Sequence, residues 1–287
     1  MPSHEPPDLE SGDTTPSKAP ASSIRSPPLF SRASLLGPID TSHADLILLA
    51  HSLATGIVDA ASFSNWAVFA GMQTGNTVLL GLSTAGLTGN PHAWLTTLVS
   101  ITSYLLGALA TFRLSSLVVP GPKSVGENRL YLFALLAVQA VFILVAAGLV
   151  AGDVVPHNPP GMATHATAAA VLEDVRIVAL LPLLAFQAGM QIAMSRLLGF
   201  NELPVNVVTS TYCDIVGDKK VLERGNRKRD RRVASVVLVL VGAVVAGWIM
   251  RSRAGLEGAL FVAGAVKGVA ALGGLVLMKR LEAGKGV

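Results

Sequence analysis

The amino-acid sequence predicts an all-α, polytopic membrane bundle of six to eight membrane segments, and three observations carry that prediction. The chain is 51% hydrophobic and only 14% charged over its 287 residues, where a soluble domain carries about 25% charged residues. Its mean hydropathy is +0.57. From Ala44 onward, apolar runs recur that are long enough to cross a hydrocarbon core of about 30 Å, which takes about 20 helical residues.

Taken in order, residues 1–42 hold eight of the 16 prolines, several serines and no apolar run, so a disordered cytosolic tail is expected. Met1 to Asp13 is acidic and Pro-rich, unlike the basic start and apolar stretch of a secretory signal. A transmembrane helical domain is expected over 43–280, its first half at 43–152 and its second at 175–280, followed by a short tail at 281–287. Six spans read directly as 44–65, 93–114, 129–150, 176–198, 233–250 and 258–278. Two further segments, 69–87 and 204–216, are interrupted by Gln73, Thr74, Gly75 and Asn76 and by Asn206, Thr209, Ser210, Thr211 and Asp214. Each either crosses fully or dips in as a broken, re-entrant helix.

The isoelectric point near 9.4 invites a nucleic-acid reading, but the charge is local. Eight basic residues against three acidic ones between Asp218 and Arg232 give that run a net +5, while the whole chain is +4. A cytoplasmic loop obeying the positive-inside rule is the expectation, with anionic-lipid contact as a compatible role. Nucleic acid is not expected as a partner, because no aromatic residues interleave with the charges. Arg113, Lys123, Arg129 and the segment from Lys279 to Lys285 mark the same side, and 153–174 lacks Lys and Arg. Both termini are therefore expected in the cytoplasm. The single Cys, Cys213, excludes an intrachain disulfide, and no metal-ligand spacing or cofactor motif occurs.

An internal two-fold repeat is legible. Gly56 with Asp59, and Gly189 with Gln191, are each followed at 18 or 20 residues from the Gly by a Thr-rich break, Thr74-Gly75-Asn76 and Thr209-Ser210-Thr211. Three crossings per half would invert the halves, a transporter architecture with broken helices at the repeat interface. Four crossings per half would make them parallel.

The pieces Gly56-Ile57-Val58-Asp59-Ala60, Gln73-Thr74-Gly75-Asn76-Thr77 and Ala188-Gly189-Met190-Gln191 resemble the YoaK-like family of membrane proteins, a family of unknown function. The resemblance covers nearly all of 44–278. It implies a bundle of about six or seven transmembrane helices and supplies no substrate. Where many relatives resemble T-G-T in the second break, this chain has Thr209-Ser210-Thr211, so a backbone approach that needs Gly is not supported there.

Polar residues inside the spans are the candidates for function. Asp59 lies on one helical face with Ser52, Thr55, Ser62 and Trp66, and an intramembrane carboxylate is costly unless neutral, paired or hydrated. It serves either a proton- or substrate-linked role or a structural one, capping the break or bonding a neighbouring helix. Lys267, near the middle of its span, is its expected counterion. In the first break, Thr or Asn is expected to cap a helix beginning near Thr77 and leave its amides facing the membrane interior. Gln187, Gln191 and Ser195 form a second polar stripe, suited to solute or to interhelical bonds. Ser100, Ser103, Gly107, Gly264 and Gly268 are expected to allow close packing, and His51 to be a satisfied packing residue or a proton relay.

The function expected is a small-solute transporter or channel-like protein, its substrate-binding residues being Asp59, Thr74, Gly75, Asn76, Gln187, Gln191, Thr209 and Thr211. The alternative is a non-transporting scaffold or sensor using its basic loop and tail. An intramembrane enzyme is not expected, since no G-x-S-x-G, H-E-x-x-H or dinucleotide fingerprint occurs in context.

Overall fold

The computed structural model describes residues 39–118, 128–161, 163–203 and 205–278. The expected tails and Lys123 fall outside these, apart from the last residues of the amino-terminal segment. Among the described residues the chain is all-helical: α1 (Ala44–Trp66), α2 (Gln73–Ser83), α3 (Ala93–Val118), α4 (Arg129–Ala151), α5 (His165–Glu173), α6 (Leu181–Leu197, entered through a 3-10 turn at Val175–Leu180), α7 (Val208–Val216), α8 (Arg227–Arg251) and α9 (Gly255–Leu277). Six of these, with the turn joined to α6, are long and apolar enough to span a membrane. The protein is an integral, multi-pass membrane protein.

Local chemistry sets the boundaries. Ala67, in the left-handed region at φ 52°, ends α1 by turning its amide back onto the Phe63 carbonyl. Asn128 caps α4 by accepting from the Tyr131 amide, and Asn226 caps α8 by accepting from the Arg229 amide. This last cap corrects one boundary. Residues 227–232 of the expected basic loop are the first turns of α8, where Asp230 faces the positive end of the helix.

The directions of two helix pairs decide how often the chain crosses. Along α1 and α8, Ser52 meets Ser235 (Oγ to Oγ 2.8 Å), Gly56 packs on Val239, and Asn65 donates to the Met250 sulfur. Numbers rise together, so the pair is parallel. Along α4 and α9, Gly264 packs on Leu144, Lys267 bonds Gln139, and Gly274 packs on Leu136. Here numbers run oppositely, so the pair is antiparallel.

If α2 and α7 both crossed, α4 and α9 would be the fourth and eighth spans and would point the same way. If only α2 crossed, the α1–α8 pairing would reverse, and if only α7 crossed, both pairings would. Only when neither crosses do both directions hold. Length agrees, since helices of 11 and 9 residues reach about 16 and 14 Å, about half the hydrocarbon core. The chain crosses six times, three per half, so the halves are inverted and the parallel four-helix arrangement is excluded.

The packing repeats with the same symmetry. α1 packs on α8 as α6 packs on α3, α9 on α1 as α4 on α6, and α2 on α3 as α7 on α8, while α4 and α9 pack on each other. Each of the first two crossings is made by a pair of glycines. A Cβ on Gly56 would land on the Val239 carbonyl and one on Gly242 on the Leu53 carbonyl. A Cβ on Gly189 would land on the Tyr104 carbonyl and one on Gly107 on the Phe186 carbonyl. Gly107 and Gly264 thus allow close packing as expected, whereas the space beside Gly268 is open.

Two apolar clusters fill the ends of the bundle. One contains Ile57, Trp66, Ile143, Leu181 and Leu260, the other Leu48, Leu132, Leu136, Met194 and Ala271. Between them lies a buried polar layer formed by His51, Ser52, Thr55, Gln139, Gln187, Gln191 and Lys267.

A candidate polar site at the middle of the bundle

Lys267 stands twelve residues from one end of α9 and ten from the other, about 15–18 Å from each. Its Nζ donates to Gln139 Oε1 at 3.0 Å, to Gln187 Oε1 at 2.5 Å and to Gln191 Oε1 at 2.5 Å. The orientation of each amide is fixed from behind. Gln139 Nε2 donates to the Leu135 carbonyl and Gln187 Nε2 to the Leu184 carbonyl, groups that can only accept. Gln191 Nε2 donates to Thr55 Oγ1 and Asn206 Oδ1, and Asn206 Nδ2 donates to the Ala188 carbonyl. All three glutamines therefore present oxygen to Nζ. Three acceptors need three N–H groups, which an ammonium has and a neutral amine lacks.

The expected Asp59–Lys267 charge pair is not formed: among the described residues Lys267 bonds amides, and Asp59 bonds backbone. Asp59 Oδ1 accepts from the Gly71 amide at 2.7 Å, and the Ala70 and Met72 amides face the same carboxylate. The backbone dipoles at the start of α2 answer its charge. Its other oxygen, Oδ2, is buried without a hydrogen bond. A Cβ on Gly71 would lie 3.0 Å from that oxygen, so the chain can approach Asp59 this closely because Gly71 has no side chain.

The first break is re-entrant. Asp59 lies seven residues before the end of α1, and Ser100 seven after the start of α3, each about 10 Å inside the bundle. The chain descends from Trp66 to their level and climbs out again as α2. Asn76 pins the descent by accepting from the Phe69 amide (2.9 Å) and donating to the Phe69 carbonyl (2.7 Å) and Ser100 Oγ (3.0 Å). Gln73 donates to the Ala70 carbonyl and Ser100 Oγ.

Three expectations are corrected here. The helix begins at Gln73, not near Thr77, so Thr74-Gly75-Asn76 forms its first turn. Asn76 braces the loop with its whole amide and is not a free ligand. Ser100 is a hydrogen-bonding anchor for that loop, beyond any role in close packing.

The second break mirrors the first from the opposite end. Asn206 reaches back to Gln191 and Ala188, about two turns inside α6, and Thr209-Ser210-Thr211 opens α7. Thr211 is buried and donates to the Val207 carbonyl, whereas Thr209 and Thr74 are exposed. A Cβ on Gly75 would meet the Phe69 ring. Of the expected site residues, the structure joins Gln187, Gln191 and Lys267. It places Asp59, Gly75 and Asn76 in a separate cluster and leaves Thr74 and Thr209 out of both.

Gln139, Asn206 and His51 belong to the site although the sequence reading assigned them no binding role. Gln139 was findable, as the one amide in the middle of the apolar run 129–150. His51 is fully buried one turn before Thr55 and faces Gln191 and Lys267. Neither of its ring nitrogens makes a well-formed hydrogen bond, so it is at best a poorly satisfied packing residue.

Both ends of the layer are closed. At one, Trp66 Nε1 donates to the Pro156 carbonyl, and the Asn158 amide donates to Asn65. At the other, Arg231 joins Asp45 of α1 at 3.0 Å and Glu202 of the loop before α7 at 3.1 Å, and stacks over Phe200. Nearby, the Asn226 side chain and the Lys220 amide hold Asp218 below the usual carboxylate range. Arg231→Ala leaves two partly buried carboxylates facing each other and is expected to lower stability by about 1–3 kcal/mol. Unfolding midpoints in mild detergent check this, with Arg231→Lys expected to lie between.

A family model described as "Protein of unknown function (DUF1275)" matches residues 47–273. No curated protein and no solved structure matches the chain.

Proposed function

Because the chain belongs to this family of unknown function, DUF1275, its work must be read from its own polar layer, and we propose that it is a small-solute transporter or channel-like protein. The observation that carries the reading is the pair of half-helices, α2 and α7. They enter from opposite ends of an inverted repeat and begin at the depth of buried polar groups, Asp59 for one and Gln191 with Asn206 for the other. Both half-helices start inside the bundle, so their positive ends are turned toward the interior, that of α2 toward Asp59. Fully buried ionisable groups such as Asp59 and Lys267 are costly in a bilayer and mark solute or proton pathways.

Solute uptake by proteoliposomes containing the full chain tests the reading. Uptake above protein-free vesicles supports it, and Asp59→Asn is expected to lower uptake about tenfold or more if the carboxyl carries a proton during transport. Unchanged uptake in Asp59→Asn removes the proton-linked role.

We further propose that the end bearing Arg231 and the basic run is cytoplasmic, as the positive-inside rule requires, and that both termini lie there. Arg224, Arg227 and Lys228 are exposed and suit anionic lipid headgroups. Exposed Cys213, on α7 at the same end, provides the check. A membrane-impermeant maleimide is expected to label it in inverted vesicles and not in intact cells, and the reverse pattern overturns the orientation. The likeness of Gly56–Ala60 and Gln73–Thr77 to the YoaK-like pattern belongs to the same reading. The scaffold alternative predicts partner capture by the basic run with no flux.

A further inference from the structure

The charge balance of the polar layer names the class of solute. Three amide oxygens surround Lys267 Nζ in an arrangement suited to an ammonium, because each glutamine's N–H₂ is committed to another acceptor. Amides solvate a cation without neutralising it. Among the described residues, no carboxylate pairs with Lys267, and Asp59 is bound to the backbone at the start of α2. The residues bonded to Nζ are Gln139 of α4 and Gln187 and Gln191 of α6, and His51 of α1, within reach of the Lys267 charge and facing Gln191, is the titratable side chain near them.

A second observation points to a ligand. His51 is 0% exposed, and neither of its ring nitrogens makes a well-formed hydrogen bond, although the Gln191 side chain faces it. One nitrogen of an imidazole always carries a proton, so a poorly satisfied donor is buried where the Lys267 charge is felt. A buried donor without an acceptor costs about 1–3 kcal/mol, and a group that accepts from His51 while neutralising Lys267 removes both penalties. A cation would add to the charge, and a neutral polar solute would answer only the imidazole.

The geometry points to a small monovalent anion, an inorganic anion or the carboxylate of a small organic acid, taken between His51 and Lys267 at the middle of the bundle. This inference rests on the transport reading above and assigns its substrate class. The anion enters when one closed end of the layer opens. It accepts from a His51 ring nitrogen and lies against the ammonium, with the glutamines keeping Nζ in place.

The test is tracer uptake by proteoliposomes of the full chain, using formate, acetate and chloride as anions, rubidium as a cation and urea as a neutral solute. At least one anion is expected to enter about tenfold faster than rubidium or urea. Lys267→Gln is expected to abolish that uptake, Lys267→Arg to retain part, and His51→Phe, which keeps a ring but removes both nitrogens, to lower it about tenfold. If Lys267→Gln does not assemble, the unaltered chain's selectivity and His51→Phe still decide.

Entry of rubidium or urea without any anion overturns the anion assignment and leaves transport standing. Entry of no tracer overturns both. Anion uptake unchanged in Lys267→Gln and His51→Phe moves the path elsewhere and overturns the site.

Discussion

Lys267→Met is expected to be the most damaging single substitution in the chain, lowering stability by about 3–5 kcal/mol, the cost of removing one partner from a buried charged cluster. Methionine fills much of the lysine's volume, so packing changes little. What is lost is the donor for three amide oxygens, those of Gln139, Gln187 and Gln191, which cannot turn away because their N–H₂ groups are bonded behind them. Orphaned buried acceptors cost about 1–3 kcal/mol each. The measurement is the yield of monodisperse protein and its unfolding midpoint in mild detergent.

A second arm separates this cause from loss of volume. Adding Gln139→Leu and Gln187→Leu to Lys267→Met removes two of the orphaned oxygens and is expected to restore part of the stability, since replacing both partners by apolar groups can be nearly neutral. Gln191 is kept because Thr55 and Asn206 depend on it. A stable Lys267→Met protein, or a triple variant worse than the single, would show that the cage is not what holds these helices together.

The second large effect concerns the crossings. Gly56→Ala, Gly242→Ala, Gly189→Ala and Gly107→Ala each add one methyl group, and each methyl would land on a carbonyl of the facing helix. Backbone cannot move aside as a side chain can, so the helices must part. A cost at or above the upper end of the usual 1–3 kcal/mol for overpacking is expected at all four. Gly148, Gly247 and Gly268 have open space where a Cβ would go, and alanine there is expected to be tolerated. Equal sensitivity across the four crossing glycines, read as unfolding midpoints, is what the repeat requires. A tolerant Gly189 beside an intolerant Gly56 would contradict it.

The spans were legible in the sequence because the bilayer asks one simple thing of them, about 20 apolar residues in a row. The repeat was legible for a related reason. Gly56 and Gly189 make the same crossing in each half, and a backbone-to-backbone approach leaves a glycine that no other residue can replace. Their partners, Gly242 and Gly107, carry no local mark in sequence that sets them apart from Gly247 or Gly268, which touch nothing.

The site was harder to read. Asp59 and Lys267 were joined by the rule that buried opposite charges pair, but charge can also be answered by dipoles. The backbone at Gly71 serves one and three amides serve the other. A sequence prints amides and backbone without direction, so the donor and acceptor ends that decided the matter were invisible. The start of α2 was misplaced for a similar reason. Thr74 and Asn76 suit a cap, yet Asn76 spends its side chain on Phe69, seven residues back, a contact visible only once the chain has folded into the membrane and out again.

The inverted frame has an energetic consequence for a transporter. In a chain whose two halves were identical, exchanging their conformations would return the same structure turned over, and the forms open to either side would be equally populated. Here the buried carboxylate, Asp59, belongs to the first half and the buried lysine, Lys267, to the second. Under the transport reading, those two side chains are among the differences between the halves that would make opposite-facing forms unequal in free energy. A difference of about 1.4 kcal/mol shifts their ratio tenfold. Under that reading, Asp59 and Lys267, which do not touch each other, are expected to act jointly in setting which side of the membrane the empty protein faces at rest.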